Sequence, residues 1–266
     1  MELRKCACID TLYTELPFQE RFAAAKGDGF ESVEFWDWRP HDPALLRELS
    51  QNAKIAISGF NGDADYSLVD PVHKKPYLEF LARSLEAARQ MGAESVTIHS
   101  NALGEGGVVV NHYDELSDTV KLCSMYDTLL ECAKMAEGQK ITLHLEALNI
   151  VSDHVGNFLR STQMGAEICR LIGSPRLKLL FDCYHMQINE GNLCHNLSLH
   201  IDQIGHIHVA DNPGRHEPGT GEICYPQIYR HLVSLGYKGR IGFELFPLKG
   251  TKAAVAAIMN DEGNKR

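Results

Sequence analysis

Along the whole chain, short apolar runs rich in β-branched residues alternate with longer amphipathic stretches. The runs are CACID (6–10), SVEFW (32–36), KIAISGF (54–60), SVTIH (95–99), KITLHLE (140–146), LKLLFD (177–182), HIHVA (206–210) and RIGFE (240–244). Between them lie stretches with helical spacing, such as 17–30, 76–92 and 117–137. In the last of these, Val120, Leu122, Cys123, Tyr126, Leu129, Leu130, Cys132 and Ala133 recur near the helical period. Gly92, Gly138, Gly173 and Gly236 follow helical stretches, where a left-handed C-cap is expected. Eight strand candidates alternating with helices, with no linker between them, predict one parallel α/β domain over residues 1–266. The first strand–helix turn, DTLYTELPFQE, carries neither a G-x-G-x-x-G nor a phosphate-binding loop. That sets aside the doubly wound nucleotide-binding sheet and leaves a single (β/α)8 (TIM) barrel, for which 266 residues is an ordinary length.

Composition narrows the partners. A formal charge of −9 argues against nucleic acid, which calls for a basic face, and against an anionic membrane surface. No window is long and apolar enough to span a bilayer, and MELRKCACID lacks the apolar centre of a signal peptide, so a cytoplasmic location is expected. The eight cysteines show no C-x-x-C pair, and most sit inside apolar runs. They read as buried free thiols in a reducing compartment. Self-association through the outer helices is compatible with the sequence, though no stripe demands it.

The chemistry lies in where the polar residues fall. In a barrel of this type the active site forms at the C-terminal ends of the strands. The fifth run ends in Glu146, the sixth in Asp182, the seventh reaches His208 and the eighth ends in Glu244. Glu34 comes late in the second run, and His99 closes the fourth. One such carboxylate reads as a helix N-cap. Four consecutive strands that each deliver a metal-capable side chain to one rim do not. Three converging carboxylates repel one another, and a divalent cation removes that repulsion. Three carboxylates with one imidazole suit Mn²⁺ or Mg²⁺, with Co²⁺, Fe²⁺ and Zn²⁺ also compatible. Such a metal would act as Lewis acid on a carbonyl and its neighbouring hydroxyl, so that a carboxylate can draw off the carbon-bound proton and form an enediolate. Glu146 and Glu244 are the natural acid–base pair. If each serves one face of the substrate, the outcome is epimerisation; if one group moves a proton between adjacent carbons, it is aldose–ketose isomerisation.

Other polar residues are within reach of the rim. His185 follows Asp182, and Arg215 lies in the Gly/Pro-rich loop ADNPGRHEPGTGE; both are read as substrate contacts. His216 and Glu217 are read as solvated residues of a rigid turn shaped by Pro213 and Pro218, and the role of Asp211 is open. Trp36 and Trp38 either form an apolar wall against the substrate, with Trp36 read as a substrate contact, or one of them belongs to the core. His99 either touches substrate or closes its strand as a hydrogen-bonded histidine. Gly104, Gly106 and Gly107 either hinge a lid or form a plain connection. His144 shares the inward side of its strand with Glu146 and is expected to pack deeper in the barrel.

Three segments carry a family resemblance: GHIHVADNPGRHEPGTGEICYPQIYRHLVSLGYKGRIGFE, LFDCYHMQINEGNL and YTELPFQERFAAAKGDGFESVEF. They resemble the hydroxypyruvate isomerase branch of the xylose isomerase-like barrel superfamily, and the likeness spans nearly the whole chain. The wider superfamily includes ketose 3-epimerases, inosose isomerases and 2-oxo-tetronate isomerases. The resemblance implies a metal on Glu146, Asp182, His208 and Glu244, acid–base roles for Glu146 and Glu244, and substrate contacts from His185 and Arg215. Two departures bear on the substrate. His208 stands where that branch often has glutamine, as in the ketose epimerases. The last strand runs into Glu244-Leu-Phe-Pro247, where the branch usually continues into Tyr-Arg-Pro or Tyr-Lys-Pro. A small sugar or hydroxy-oxo acid is the expected substrate. A lyase acting beside a carbonyl, such as one cleaving C-glycosides, uses the same logic. An endonuclease IV-like phosphodiesterase would need more metal ligands and a basic groove.

Overall fold

The computed structural model describes residues 3–260; Met1, Glu2 and residues 261–266 lie outside the described residues, so the domain expected over 1–266 is seen over that span. Its strands are β1 (Arg4–Cys8), β2 (Ser32–Phe35), β3 (Ala56–Phe60), β4 (Ser95–Ile98), β5 (Thr142–Glu146), β6 (Leu177–Asp182), β7 (Ile204–His208) and β8 (Arg240–Phe243). Its helices are α1 (Phe18–Gly27), α2 (Pro43–Ala53), α3 (Lys74–Met91), α4 (Asp118–Gln139), α5 (Thr162–Ile172), α6 (Cys183–Asn189), α7 (Leu193–His200), α8 (Tyr225–Ser234) and α9 (Thr251–Asn260). All eight predicted strands are present. The first lies two residues nearer the N-terminus than its apolar run.

The strands are parallel and ordered β3-β2-β1-β8-β7-β6-β5-β4, so β1 pairs with β2 on one side and with β8 on the other. This is a (β/α)8 barrel with its ladder nearly closed. The remaining seam, between β3 and β4, is held by bonds of mixed kind. Glu94 N–H donates to the Ile57 carbonyl (3.2 Å), Gly62 N–H to that of Thr97 (2.8 Å), and Ser95 Oγ to that of Ser58 (2.8 Å). Strand alternation then sorts the side chains. Val33, Leu143, Leu145, Leu179, Phe181, Ile207, Ile241 and Phe243 are buried against the helices. Glu34, His144, Glu146, Asp182, His206 and His208 alternate with them and point inward.

Local chemistry sets the helix ends. Asp42, Ser117 and Ser161 accept hydrogen bonds from the first turns of α2, α4 and α5 as N-caps. Gly92 and Gly173 cap α3 and α5 in the left-handed conformation, and Gly236 adopts it just past α8. Gly138 does not. It lies inside α4, which runs on to Gln139 and is capped by Lys140 at φ 59°, its N–H returning to the carbonyls of Ala136 and Glu137. The buried face of α4 also differs from the expected one. Val120, Leu122 and Cys123 are exposed, while Lys121 and Ser124 are buried. The two polar residues tolerate burial because Lys121 Nζ donates to the His112 carbonyl (2.9 Å) and Ser124 Oγ to that of Leu68 (2.9 Å).

At the seam, Gly59 leaves no room for a side chain: a Cβ there would stand 2.6 Å from Ser95 Oγ and 3.0 Å from the Ser95 carbonyl oxygen. Gly59→Ala is therefore expected to push β3 and β4 apart and to lower stability by about 1–3 kcal/mol, the usual cost of overpacking. Urea unfolding of the two proteins checks this; an unchanged midpoint would show that the seam does not constrain the barrel.

Candidate active site

The four strand-end residues meet around one imidazole. His208 Nδ1 lies 3.7 Å from Glu146 Oε1, 3.8 Å from Asp182 Oδ2 and 3.6 Å from Glu244 Oε2. All four residues are less than 9% exposed. His208 Nδ1, Glu146 Oε1 and Asp182 Oδ2 are buried without a hydrogen-bond partner, so three unsatisfied polar atoms face one another. Each remaining atom is engaged elsewhere. Asp182 Oδ1 caps α6 by accepting from His185 N–H (3.0 Å), so this strand-end carboxylate is both a cap and a member of the cluster. Glu146 Oε2 meets His99 Nε2 (3.2 Å). Glu244 Oε1 accepts from Trp36 Nε1 (2.5 Å), and its Oε2 from Arg215.

Below this cluster a polar column fills the barrel axis. Glu34 lies 3.0 Å from His206 Nε2 and 3.4 Å from His208 Nε2, and so faces the second nitrogen of the central imidazole. His144 stacks on His206 with centroids 5.3 Å apart, packed deep in the barrel as the strand pattern predicts. Gly242, level with His208 across the β7–β8 ladder, makes room for the group. A Cβ at that position would run into Glu34 and the His206 and His208 rings.

Charges in this space are set by their neighbours. Burial works against the Glu146 charge, but the His208 and His99 imidazoles beside it hold its carboxyl well below the usual range. Burial raises the Asp182 carboxyl, with Arg215 opposing the rise and Glu146 adding to it. Burial would lower His99, yet the carboxylates of Asp63 and Glu146 outweigh it and lift the imidazole to about 10.

Above the cluster opens a cavity of about 740 Å³. Of the expected substrate contacts, Trp36, His99, His185 and Arg215 all line it. Arg215 also reaches Asp182 (3.9 Å) and packs over the Tyr184 ring, its Cζ 5.3 Å from the centroid. Trp38 packs against the core, donates to Ser84 Oγ (3.1 Å) and contributes an edge to the cavity. Leu103, Gly104, Gly106 and Gly107 form part of the wall. Asp63 was not picked out from the sequence. It lies three residues past β3, where no polar residue ends the run, and it orients His99 by accepting from its backbone N–H (2.5 Å) and contacting Nδ1 (3.0 Å). Asp153 and His154, after β5, were also passed over.

The loop that carries Arg215 is held from inside, and two expectations about it fail. Glu217 is buried and accepts from Leu248 N–H (2.9 Å), and His216 Nδ1 meets the Phe246 carbonyl (2.6 Å). Both residues tie the loop to the segment after β8, so neither is a solvated turn residue. Asp211 is fully buried, with Oδ1 accepting from Asn212 and Ile223 and Oδ2 from Gly219 and Gly221. Four N–H donors converge on one carboxylate, which answers the question of its role.

The sequence profile described as the xylose isomerase-like TIM barrel matches residues 22–260, and the chain belongs to that family. It is 32% identical over 260 residues to a 2-oxo-tetronate isomerase of Cupriavidus necator, covering 95% of this chain and 96% of that one. It is 28% identical over 261 residues to the hydroxypyruvate isomerase of Escherichia coli K12, covering 95% and 97%. In fold it resembles a structure titled AP endonuclease, family 2, from Brucella melitensis, with a TM-score of 0.87 at 23% identity over 96% of this chain and 97% of the other. It also resembles the D-psicose 3-epimerase of Clostridium cellulolyticum H10, with a TM-score of 0.78 at 20% identity over 95% and 89%.

Asp211→Asn puts an NH₂ against two backbone N–H donors whichever way the amide turns. The substitution is expected to cost about 1–3 kcal/mol, the range for leaving a buried polar group unpaired. Thermal unfolding reads the cost and limited proteolysis between residues 212 and 222 reads its location; a wild-type melting temperature would refute the role given to Asp211.

Proposed function

We propose that this protein is a metal-dependent isomerase or epimerase of a small sugar or hydroxy-oxo acid, working through an enediolate. The observation that carries the reading is the trio of unpartnered buried atoms, Glu146 Oε1, Asp182 Oδ2 and His208 Nδ1, with Glu244 beside them. Atoms bound to one ion at about 2.1 Å lie no more than about 4.2 Å apart, and the 3.6–3.8 Å separations from His208 Nδ1 satisfy that limit. Glu146, Asp182, His208 and Glu244 would hold the cation, and three carboxylates with one imidazole favour Mn²⁺ or Mg²⁺, with Co²⁺, Fe²⁺ and Zn²⁺ compatible. Glu34, by holding His208 Nε2, would fix the ring for that purpose. The names of the two relatives above, both isomerases of small oxo acids, point the same way.

When bound, such a cation supplies Lewis acidity to a ketone and its neighbouring hydroxyl. The side chains do the rest. Glu146 and Glu244, separated around the rim by β6 and β7, flank the substrate as proton acceptor and donor. His99 pins one Glu146 oxygen and leaves the other facing the centre. Trp36 and Arg215 orient Glu244, and Arg215 with His185 receives substrate oxygens. The wall formed by Leu103, Gly104 and Gly107 keeps water from the enediolate. The eight free cysteines support a reducing compartment, and we assign the protein to the cytoplasm. Among the described residues no helix is long and apolar enough to cross a membrane. A lyase acting beside a carbonyl would use the same groups, and a 740 Å³ cavity leaves room for a leaving group.

Two experiments test this. Metal-stripped protein, resupplied with Mn²⁺ in D₂O and given ketoses, inososes and 2-oxo acids, is expected to incorporate deuterium beside the carbonyl, as read by NMR. Glu146→Gln and Glu244→Gln should each slow incorporation by about 10²–10⁴-fold, the usual worth of a positioned acid or base. Exchange undiminished in both variants would refute their roles, and release of a fragment in place of exchange would favour the lyase. Glu34→Gln is expected to weaken Mn²⁺ binding by about 10–100-fold, measured by the electron paramagnetic resonance of free Mn²⁺. If the wild-type protein binds no divalent ion, the site assignment fails.

A further inference from the structure

The loop that follows β3 is bolted to its neighbours before it reaches the cavity. Gly62 N–H donates to the Thr97 carbonyl (2.8 Å), and the Gly62 carbonyl accepts from Ser84 Oγ (2.7 Å). The approach is so close that a Cβ at residue 62 would collide with Val96 Cγ1. The next residue, Asp63, is thereby delivered to the end of β4. There the β4–β5 ladder stops at Ile98, and the N–H of His99 has left the sheet. Asp63 Oδ2 accepts it (2.5 Å) and also accepts from the Tyr77 hydroxyl (3.2 Å), while Oδ1 lies 3.0 Å from His99 Nδ1. The side chains of Asp63, His99 and Glu146 are no more than 7% exposed.

A carboxylate oxygen accepts, so the contact with Asp63 Oδ1 places a ring hydrogen on His99 Nδ1. The opposite nitrogen, Nε2, is 3.2 Å from Glu146 Oε2. His99 borders the cavity, yet both of its nitrogens are spent, one on each carboxylate, and neither is left for a substrate oxygen.

The link matters to Glu146 because the last torsion of a glutamate side chain is broad. Nothing within the residue decides which oxygen faces the centre. With Oε2 turned to His99, Oε1 is the oxygen that stands 3.7 Å from His208 Nδ1 without a hydrogen-bond partner. The imidazole has a broad torsion of its own. Asp63, which grips both the backbone and the ring of His99, removes that freedom.

We propose that Asp63 is a positioning residue for Glu146 and acts through His99, so that a carboxylate two contacts away sets how well the centre binds its cation. This rests on the metal-site reading above and assigns to that site a residue outside the ligand set.

The electron paramagnetic resonance of free Mn²⁺ measures the affinity of the full chain. His99→Leu is expected to weaken binding by about 10–100-fold, and His99→Gln, which keeps a donor toward Glu146, should recover part of the loss. Asp63→Ala should weaken binding by about three-fold or more, and in the His99→Leu background it should change nothing further, as for two residues coupled in one chain of contacts. In nitrogen-resolved NMR of the metal-free protein, the His99 ring should carry a hydrogen on Nδ1. Asp63→Asn, which keeps an acceptor for the His99 backbone N–H and turns its NH₂ toward Nδ1, should remove that hydrogen. These spectra decide should Asp63→Ala fail to fold by circular dichroism. A double variant weakened by the product of the single effects, or a bare Nδ1 in the wild type, would overturn the proposal. Wild-type protein that binds no Mn²⁺ sinks the metal site and this role of Asp63 together, whereas Mn²⁺ binding indifferent to Asp63→Ala sinks the role of Asp63 alone.

Discussion

Like charges gathered where water cannot screen them govern the upper half of this barrel. Glu34, Glu146, Asp182 and Glu244 all approach the His208 imidazole within 3.8 Å. At such distances, unit charges near a protein surface interact by about 4 kcal/mol, so uncompensated carboxylates would be driven to take up protons. The surrounding structure supplies the compensation: His206 for Glu34, His99 for Glu146, the first turn of α6 for Asp182, Trp36 and Arg215 for Glu244. Each compensating group needs its own support. His99 is held by Asp63, and the Arg215 loop is held by Asp211 and Glu217. The loops on this face are organised outward from one electrostatic problem.

The strand-end carboxylate of β6 shows how two familiar roles coexist. A carboxylate closing a strand normally caps the next helix, and Asp182 does so with Oδ1. Its Oδ2 remains for the cluster. Cap and cluster therefore fix one another: α6 sets the rotamer of Asp182, and the same short helix carries His185 into the cavity wall. The two readings the sequence allows for a strand-end carboxylate, cap or member of a rim cluster, fall to two oxygens of one residue.

The strand positions were legible because alternation of apolar runs and amphipathic stretches is what a parallel barrel demands, and the rim residues because they terminate those runs. Signals that depend on pairing were harder to read. Gly138 looks like a C-cap, but Lys140 takes the left-handed turn. The buried face of α4 departs from its apolar pattern because Lys121 and Ser124 satisfy themselves against carbonyls and so can be buried in place of Val120 and Leu122. Glu217 looks like a loop charge, and nothing in its local sequence announces that Leu248 N–H will reach it. Asp63 and His154 lie beyond the strand ends, in loops whose course is set by tertiary contacts. What periodicity encodes can be read directly; what two distant segments agree on cannot.

The absent side chain of Gly242 has a wider consequence. In many barrels of this architecture the axis is packed with layers of branched aliphatic residues. Here, on the upper part of the axis, the space that a Cβ at residue 242 would occupy belongs to Glu34, His206 and His208, with His144 stacked below. The axis at this level is thus a close-packed stack of titratable groups and not an oily plug. Cohesion of the fold rests correspondingly more on the layer between strands and helices, where Phe30 meets Phe243 and Phe35 stacks on Phe60. Efforts to make this barrel sturdier have to work in that outer layer, since the interior at this level is occupied by charged and polar side chains.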